Sequence, residues 1–224
     1  MSKTNLEVFE MQLIFRDRAE AASMLGEKLL ELKKEEPIIL AIPRGGAVTG
    51  DVIASALGAK LDVVVPRKLG APYNPELAIG AVMHDGSYFL NTEIIVMLDV
   101  PREYIDAEIA RQRKEIERRL MLFRGTREYD LKGKTVILVD DGIATGATMF
   151  AALRWVQKQK PRKLVVAVPV GPQDTIDSLR READDVVVIS SPTLFGAVGQ
   201  FYEDFAQVSD DEVREIMRKH GYKI

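Results

Sequence analysis

Val136-Ile-Leu-Val-Asp-Asp-Gly-Ile-Ala-Thr-Gly-Ala-Thr148 holds a strand, an acidic pair, a tight turn and the start of a helix in one short stretch. Val136 to Val139 are apolar, mostly β-branched and bounded by polar residues, as a buried strand requires. Asp140 and Asp141 follow at its carboxyl end. Gly142 and Gly146 allow the backbone to approach a ligand closely. A helical segment then runs from Ala147 to about residue 159. The first turn of such a helix offers free N–H groups and the positive end of the helix dipole, so the segment is an anion cradle suited to a phosphate. Thr145 and Thr148 add hydroxyl donors. Asp140 and Asp141 would repel that phosphate and suit vicinal hydroxyls instead. A sugar phosphate would satisfy both halves together. No G-x-x-x-x-G-K-[ST] occurs, and no G-x-G-x-x-G follows a strand, so a triphosphate P-loop and a dinucleotide site lack support.

On either side, strand and helix patterns alternate. Asp17 is a candidate cap for a helix to about residue 34, with Ala22, Leu25, Leu29 and Leu32 on one face. Residues 37–42 read as a buried strand ending at Pro43-Arg44-Gly45-Gly46, with a helix to about residue 57. Residues 61–65 form a second strand, closing at Pro66-Arg67-Lys68-Leu69-Gly70. Residues 134–140, 163–169 and 185–189 are further strands, with a short helix around 175–181. Ser209-Asp210-Asp211-Glu212 has the capping-box pattern of a final helix. These elements predict an α/β fold, a parallel sheet with helices on both faces and ligands outside the carboxyl ends of the strands.

The middle interrupts this alternation. Residues 71–75 have the composition of a loop. Residues 77–83 and 87–91 flank His84-Asp85-Gly86 as a hairpin. A long helix runs from about residue 102 to 123. Its Arg111, Arg113, Lys114, Arg118 and Arg119 read most simply as a solvated face, with Glu115 four residues before Arg119. The alternative is a surface for a phosphate or a partner.

The chain has 224 residues, 31 Lys+Arg, 34 Asp+Glu and a formal net charge of −3; hydrophobic residues make up 46% and charged residues 29%. That length suits one domain with one large core. The near-neutral balance gives no global electrostatic case for nucleic acid or an anionic membrane. The chain has no cysteine, which excludes disulfides, thiolate metal sites and a Cys nucleophile and is consistent with a cytoplasmic protein. Residues 1–10 carry charge and lack an apolar signal core. The longest uncharged run, 186–202, is broken by Ser190, Pro192, Gly196 and Gly199 and cannot span a bilayer. His84 and His220 match no metal-ligand spacing.

Residues 136–148 closely resemble the signature for 5-phosphoribosyl-1-pyrophosphate (PRPP) in type I phosphoribosyltransferases. The whole chain is similar to a bacterial and archaeal branch of predicted phosphoribosyltransferases, through Pro43-Arg44-Gly45-Gly46, Arg67-Lys68-Leu69-Gly70, Pro75-Glu76-Leu77-Ala78-Ile79-Gly80 and Tyr202-Glu203-Asp204-Phe205. The resemblance implies one domain over residues 1–224, with a mobile insertion at about 70–127 and a small hood at about 191–208. It implies Mg²⁺-dependent transfer of 5-phosphoribose from PRPP to a nucleobase or related N-heterocycle, with release of pyrophosphate. Asp140 and Asp141 would contact the ribose hydroxyls, Ile143, Ala144, Thr145, Gly146, Ala147 and Thr148 would wrap the 5′-phosphate, and Gly142 belongs to the same PRPP-binding stretch.

Pro43 to Gly46 follow a strand and precede a helix, so their N–H groups and Arg44 suit pyrophosphate. The resemblance places the family's pyrophosphate loop here, at Arg44, Gly45 and Gly46, often with a strained or cis peptide. It also makes Arg67 and Lys68 pyrophosphate-contacting cations. Asp140, Asp141, Arg44 and Lys68 are the candidate catalytic groups. Mg²⁺ would bridge pyrophosphate and ribose oxygens, with Asp140 and Asp141 as its candidate protein ligands rather than a dedicated cage. The expected partners are PRPP and a small heterocyclic acceptor, without nucleic acid or membrane; a homodimer is compatible with these features.

The chain departs from the hypoxanthine–guanine pattern at Ala144, where those enzymes carry an acidic residue proposed as general base and adenine- and orotate-type relatives do not. A base would come from elsewhere, with Glu76, Asp85 and Glu203 as candidates. Phe195, Phe201, Tyr202 and Phe205 could stack on the acceptor, and Glu203 or Asp204 could accept its ring N–H groups. The same aromatics suit a core beneath the last helix. A non-catalytic PRPP-binding regulator is the alternative function. The short segment before the first helix offers no helix-turn-helix, which favours the enzyme. A phosphate-binding α/β hydrolase lacks its G-x-S-x-G.

Overall fold

The computed structural model describes residues 14–224. The reading of residues 1–10 therefore lies outside the described residues. In chain order the elements are α1 (Arg18–Leu29), β1 (Ile38–Ala41), α2 (Gly45–Leu57), β2 (Lys60–Val63), β3 (Arg67–Ala71), β4 (Asn74–Val82), β5 (Tyr88–Leu90), α3 (Thr92–Met97), α4 (Arg102–Arg124), β6 (Thr135–Val139), α5 (Ala147–Lys158), β7 (Lys163–Val170), α6 (Gln173–Arg180), β8 (Asp185–Ser190) and α7 (Asp210–Lys219).

Five strands form one sheet in the order β2-β1-β6-β7-β8, every neighbouring pair parallel. The interior strands β1, β6 and β7 are almost wholly apolar because both faces are covered. Ile39, Ala41, Ile137, Val139, Val165 and Ala167 pack with residues of α1, α2, α4 and α7. Their sequence neighbours Ile38, Leu40, Val136, Leu138, Val166 and Val168 pack with α5 and α6. The fold expected from the alternation is the fold observed.

The insertion is more ordered by pairing than its composition indicates. Residues 66–70 do not merely end the second strand: β3 begins at Arg67 and pairs antiparallel with β4, Lys68 opposite Ala81 and Leu69 opposite Gly80. The expected loop at 71–75 is a tight turn at Pro72 and Tyr73, with Asn74 and Pro75 already in β4. Gly70 permits this, since a Cβ there would lie 2.7 Å from the Pro75 carbonyl oxygen. β5 completes a three-stranded sheet. The helix α3 was not legible; Asn91 caps it by accepting from Ile94 N–H at 3.1 Å.

Both predicted caps are present. Asp17 accepts from Glu20 N–H at 2.8 Å, although the regular helix ends at Leu29 and a 3-10 segment continues over Leu30–Glu35. Ser209 and Glu212 exchange the two capping-box hydrogen bonds, at 3.1 and 2.7 Å. Among the described residues no helix is long and apolar enough to cross a membrane.

Candidate active site

Asp140 and Asp141 sit where β6 ends, at the carboxyl edge of the central strand of the sheet. Asp141 N–H donates to Asp140 Oδ1 at 2.9 Å, which fixes the two carboxylates relative to one another. Burial, and then the charge of Asp141, push the Asp140 carboxyl well above the usual carboxylate range. Burial also raises Asp141, against the opposing pull of Arg18. Adjacent, part-buried carboxylates with raised pKa values are candidates for a functional site.

Arg18 is the site residue that sequence reasoning missed. Its Nε donates to Asp141 Oδ2 at 2.6 Å, with the two side chains only 12% and 13% exposed. Its Nη1 donates to the Ala206 carbonyl at 2.8 Å, and its guanidinium lies 3.8 Å over the Phe205 ring. Tyr202 Oη donates to the Asp141 carbonyl at 2.6 Å. Burial, followed by the Asp141 charge, raises the Tyr202 phenol, so it stays a donor.

The turn after the acidic pair divides its backbone donors. Ile143 N–H is taken by the Val170 carbonyl at 2.9 Å and is not free for a ligand. The N–H groups of Ala144, Thr145, Gly146, Ala147, Thr148 and Met149 find no acceptor among the described residues. The cradle thus begins one residue later than the expected wrap. Gly146 adopts the left-handed conformation at φ 74° directly before α5, where a side chain would be strained. Gly142 lies against the tail: a Cβ there would be 2.5 Å from Val198 Cγ1. The Ile143 and Ala147 side chains are buried.

Pro43-Arg44-Gly45-Gly46 faces the acidic pair at close range. A Cβ on Gly45 would lie 1.8 Å from Asp141 Oδ2, and one on Gly46 would lie 2.9 Å from Asp140 Oδ1. The Pro43–Arg44 peptide is cis. Arg44 Nη1 lies 3.7 Å from Asp210 Oδ1 at the start of α7. Lys68 contributes to the field at Asp140. Arg67 turns the other way, toward α4, as alternation along a strand requires. Its Nε donates to Gln112 Oε1 at 3.0 Å.

The four tail aromatics separate by burial. Phe201 is fully buried with Phe15, Ala21 and Val170, and Tyr202 joins them. Phe15 N–H donates to the Phe201 carbonyl and Glu203 N–H to the Phe15 carbonyl, both at 2.8 Å, so the tail is tied to the start of α1. Phe205 stacks on Tyr202 at 4.9 Å. Phe195, stacked on Phe201 at 4.9 Å, lines a cleft of about 650 Å³ with Ala144, Thr145, Asp174, Thr175 and Thr193. Asp174 is a second residue that the sequence did not single out. Of the proposed bases, Asp85 is engaged by Ser87 in the hairpin turn, Glu76 is exposed on β4, and Glu203 adjoins Tyr202.

A profile of the phosphoribosyl transferase domain matches residues 76–206, more than half of the chain. This chain belongs to the phosphoribosyl transferase family. Pro43 to Gly46 and Arg67-Lys68 lie before the matched stretch. Proteins of Mycobacterium tuberculosis strains CDC 1551 and H37Rv, provisionally named phosphoribosyl transferases, are each 42% identical over 201 residues, 89% of this chain. The chain spans 45% of those relatives' length. The crystal structure of TT1426 from Thermus thermophilus is 43% identical; the match covers 92% of this chain and 99% of that one, with a TM-score of 0.76.

Proposed function

We propose that the protein is a phosphoribosyltransferase that moves 5-phosphoribose from PRPP to a nucleobase or related N-heterocycle and releases pyrophosphate. One observation carries this reading: a part-buried acidic pair is followed closely by a cradle of free backbone N–H groups, opposite a glycine loop with no room for a side chain. Asp140 and Asp141 hold the ribose hydroxyls. Gly142 gives the turn its close approach, while Ile143 and Ala147 anchor it and the N–H groups from Ala144 onward take the 5′-phosphate with Thr145 and Thr148. Arg44, Gly45, Gly46 and Lys68 take the pyrophosphate, with Arg67 on the other face of the same strand.

The C1–O bond to pyrophosphate breaks as the acceptor nitrogen forms its bond to C1 and loses a proton to a base. Asp174 is the carboxylate that lines the cleft, and Glu203 lies farther along the tail that carries Phe195. The protein supports the step by positioning both reactants and by balancing charge on the leaving group. Phe195 offers the acceptor a stacking surface, with Phe201, Tyr202 and Phe205 fixing the segment behind it. The insertion over residues 70–127 supplies closure, and excluding water protects PRPP from hydrolysis.

Among the described residues no cluster of three or more Asp, Glu, His or Cys could cage a metal. Two carboxylates beside a phosphate cradle fit Mg²⁺ that arrives with its substrate oxygens, with Asp140 and Asp141 as its protein ligands. When bound, Mg²⁺ would neutralise charge on the leaving pyrophosphate. A cytoplasmic location and a homodimer are compatible with this reading.

The test incubates purified protein with PRPP, Mg²⁺ and pooled purines, pyrimidines and related heterocycles, and follows pyrophosphate release and new nucleotides by mass spectrometry. A nucleotide product is expected. Failure to bind PRPP at all would overturn the reading, and binding without any product across a broad acceptor panel would favour a regulator.

A further inference from the structure

Asp210 opens α7 directly behind Ser209, whose capping box with Glu212 fixes the start of the helix. Its carboxylate lies between two arginines from different parts of the chain. Oδ1 is 3.7 Å from Arg44 Nη1, in the loop before α2. Oδ2 is 3.6 Å from Arg118 Nη2, on α4. Both distances are those of ion pairs, and both exceed hydrogen-bond length. Oδ1 is itself buried and accepts no hydrogen bond among the described residues. A buried oxygen left unbonded needs a reason, because an apolar group or a fully bonded one would cost less there.

Arg44 supplies the reason. Gly45 has no room for a Cβ beside Asp141, so the backbone of the loop is tightly confined. The Arg44 side chain has several rotatable bonds and is not fixed by that confinement. Among the described residues its guanidinium makes no hydrogen bond, and Asp210 is its one ion-pair partner. A carboxylate at this distance sets the direction of the guanidinium through charge and leaves its planar donor fork open. Arg18 is the contrast: its Nε is 2.6 Å from Asp141 and is taken.

The carboxylate is held where it stands. Arg118 faces its other oxygen and is in turn bonded to both oxygens of Glu115, at 2.8 and 2.9 Å. Val213 and Met217 bury α7 in the core that it shares with α2 and α4. At the far end of α7, Lys219 Nζ donates to both oxygens of Asp51, at 2.8 and 2.9 Å, and His220 Nε2 lies 2.7 Å from Asp51 Oδ1. Asp51 is on α2, about two turns beyond Arg44. Both ends of α7 are therefore tied to the helix that the Pro43–Gly46 loop opens.

We propose that Asp210 is a positioning residue for Arg44, which it aims at the leaving pyrophosphate. The role rests on the function proposed above, in which Arg44 takes the pyrophosphate. Asp210 acts through Arg44 and not on the substrate, since a carboxylate repels pyrophosphate. The sign of its effect follows. Removing a carboxylate near an anion site raises anion affinity when charge alone matters. Removing one that orients the receiving arginine lowers it.

Isothermal titration of the full chain with PRPP, and separately with inorganic pyrophosphate, both with Mg²⁺, reads that sign. Asp210→Asn should weaken both about tenfold, the scale for loss of an orienting partner. Asp210→Glu should recover part of the loss. Asp211→Asn removes the same charge from the next residue, whose side chain is 83% exposed, and should keep wild-type affinity. In an Arg44→Met background, Asp210→Asn should have no further effect, because the residue it acts through is gone. Unchanged or tighter binding by Asp210→Asn, or an undiminished loss in the Arg44→Met background, overturns the positioning role while the proposed function stands. If wild type binds neither ligand, the proposed function falls and the role falls with it. Should Asp210→Asn not fold, Asp210→Glu carries the same cycle: a smaller loss that vanishes with Arg44→Met supports the role, and wild-type affinity overturns it.

Discussion

Arg18 and Asp141 form a 2.6 Å ion pair across 123 residues of sequence. The contact joins the start of α1 to the acidic pair at the end of β6. Because the same guanidinium lies over Phe205 and donates to the Ala206 carbonyl, it also holds the tail that adjoins the cleft. One side chain thus links three separate segments of the chain around the proposed ribose-binding carboxylates.

Arg18→Met should leave Asp141 buried without its cation. Removing one partner of a mostly buried pair costs about 3 kcal/mol, so the urea midpoint should fall and PRPP binding should weaken about tenfold or more. Arg18→Lys should restore part of both. Unchanged PRPP affinity in Arg18→Met would show that Arg18 does not orient Asp141.

Gly45→Ala places a methyl group where Asp141 Oδ2 stands, 1.8 Å away. The loop or the carboxylate must move, because real Cβ contacts are never that short. PRPP affinity should fall about a hundredfold or more, the scale expected when a binding constellation is displaced by about an ångström. Far-ultraviolet circular dichroism should retain the wild-type spectrum. Calorimetric titration with PRPP checks the affinity.

Arg124 donates to both oxygens of Asp62 on the edge strand β2, at 2.6 and 2.8 Å, and to the Thr126 and Glu128 carbonyls. The pair is almost fully buried. Asp62→Ala should destabilise the protein by about 3–5 kcal/mol, because it leaves the guanidinium charged and without its carboxylate. PRPP affinity of the remaining folded protein should stay at the wild-type value. Chemical denaturation and titration with PRPP measure the two effects separately.

Hydrogen bonding by Arg118, joined by Arg119 and opposed by burial, holds the Glu115 carboxyl at about 2, below its ordinary 4.5. A folded value below the unfolded one means that these pairs stabilise the protein above about pH 4.5 and lose that effect as pH falls toward about 2. Solvent screening keeps the contribution to about 1 kcal/mol. Glu115→Gln should therefore lower stability at neutral pH and flatten its decline through the acid window. Urea midpoints measured across that window provide the check, and an unchanged slope would contradict the assignment.

The central sheet could be read from the chain because its interior strands are apolar runs, as at Val136 to Val139, which a doubly covered sheet buries. The proposed phosphate cradle could be read for a related reason. Its strand, acidic pair, glycine turn and helix start are consecutive, so local backbone geometry places them together whatever the rest of the chain does. Strand β3 could not be read, because Arg67 and Lys68 are charged and become strand residues only by pairing with Ala81 and Val82. The opposite directions of their side chains follow from that pairing.

The tail aromatics carried two meanings in sequence. Only the bridge to Phe15 put Phe201 in the core and left Phe195 on the cleft. Arg18 gave no local signal, since a lone arginine beside a capping aspartate is ordinary at a helix start. Periodicity and consecutive motifs thus specified the α/β architecture and the strand, turn and helix start of the proposed anion cradle. The partners of Asp141, Arg67 and Phe195 were set by packing between distant segments, because each depends on where the chain returns rather than on which residues stand beside it.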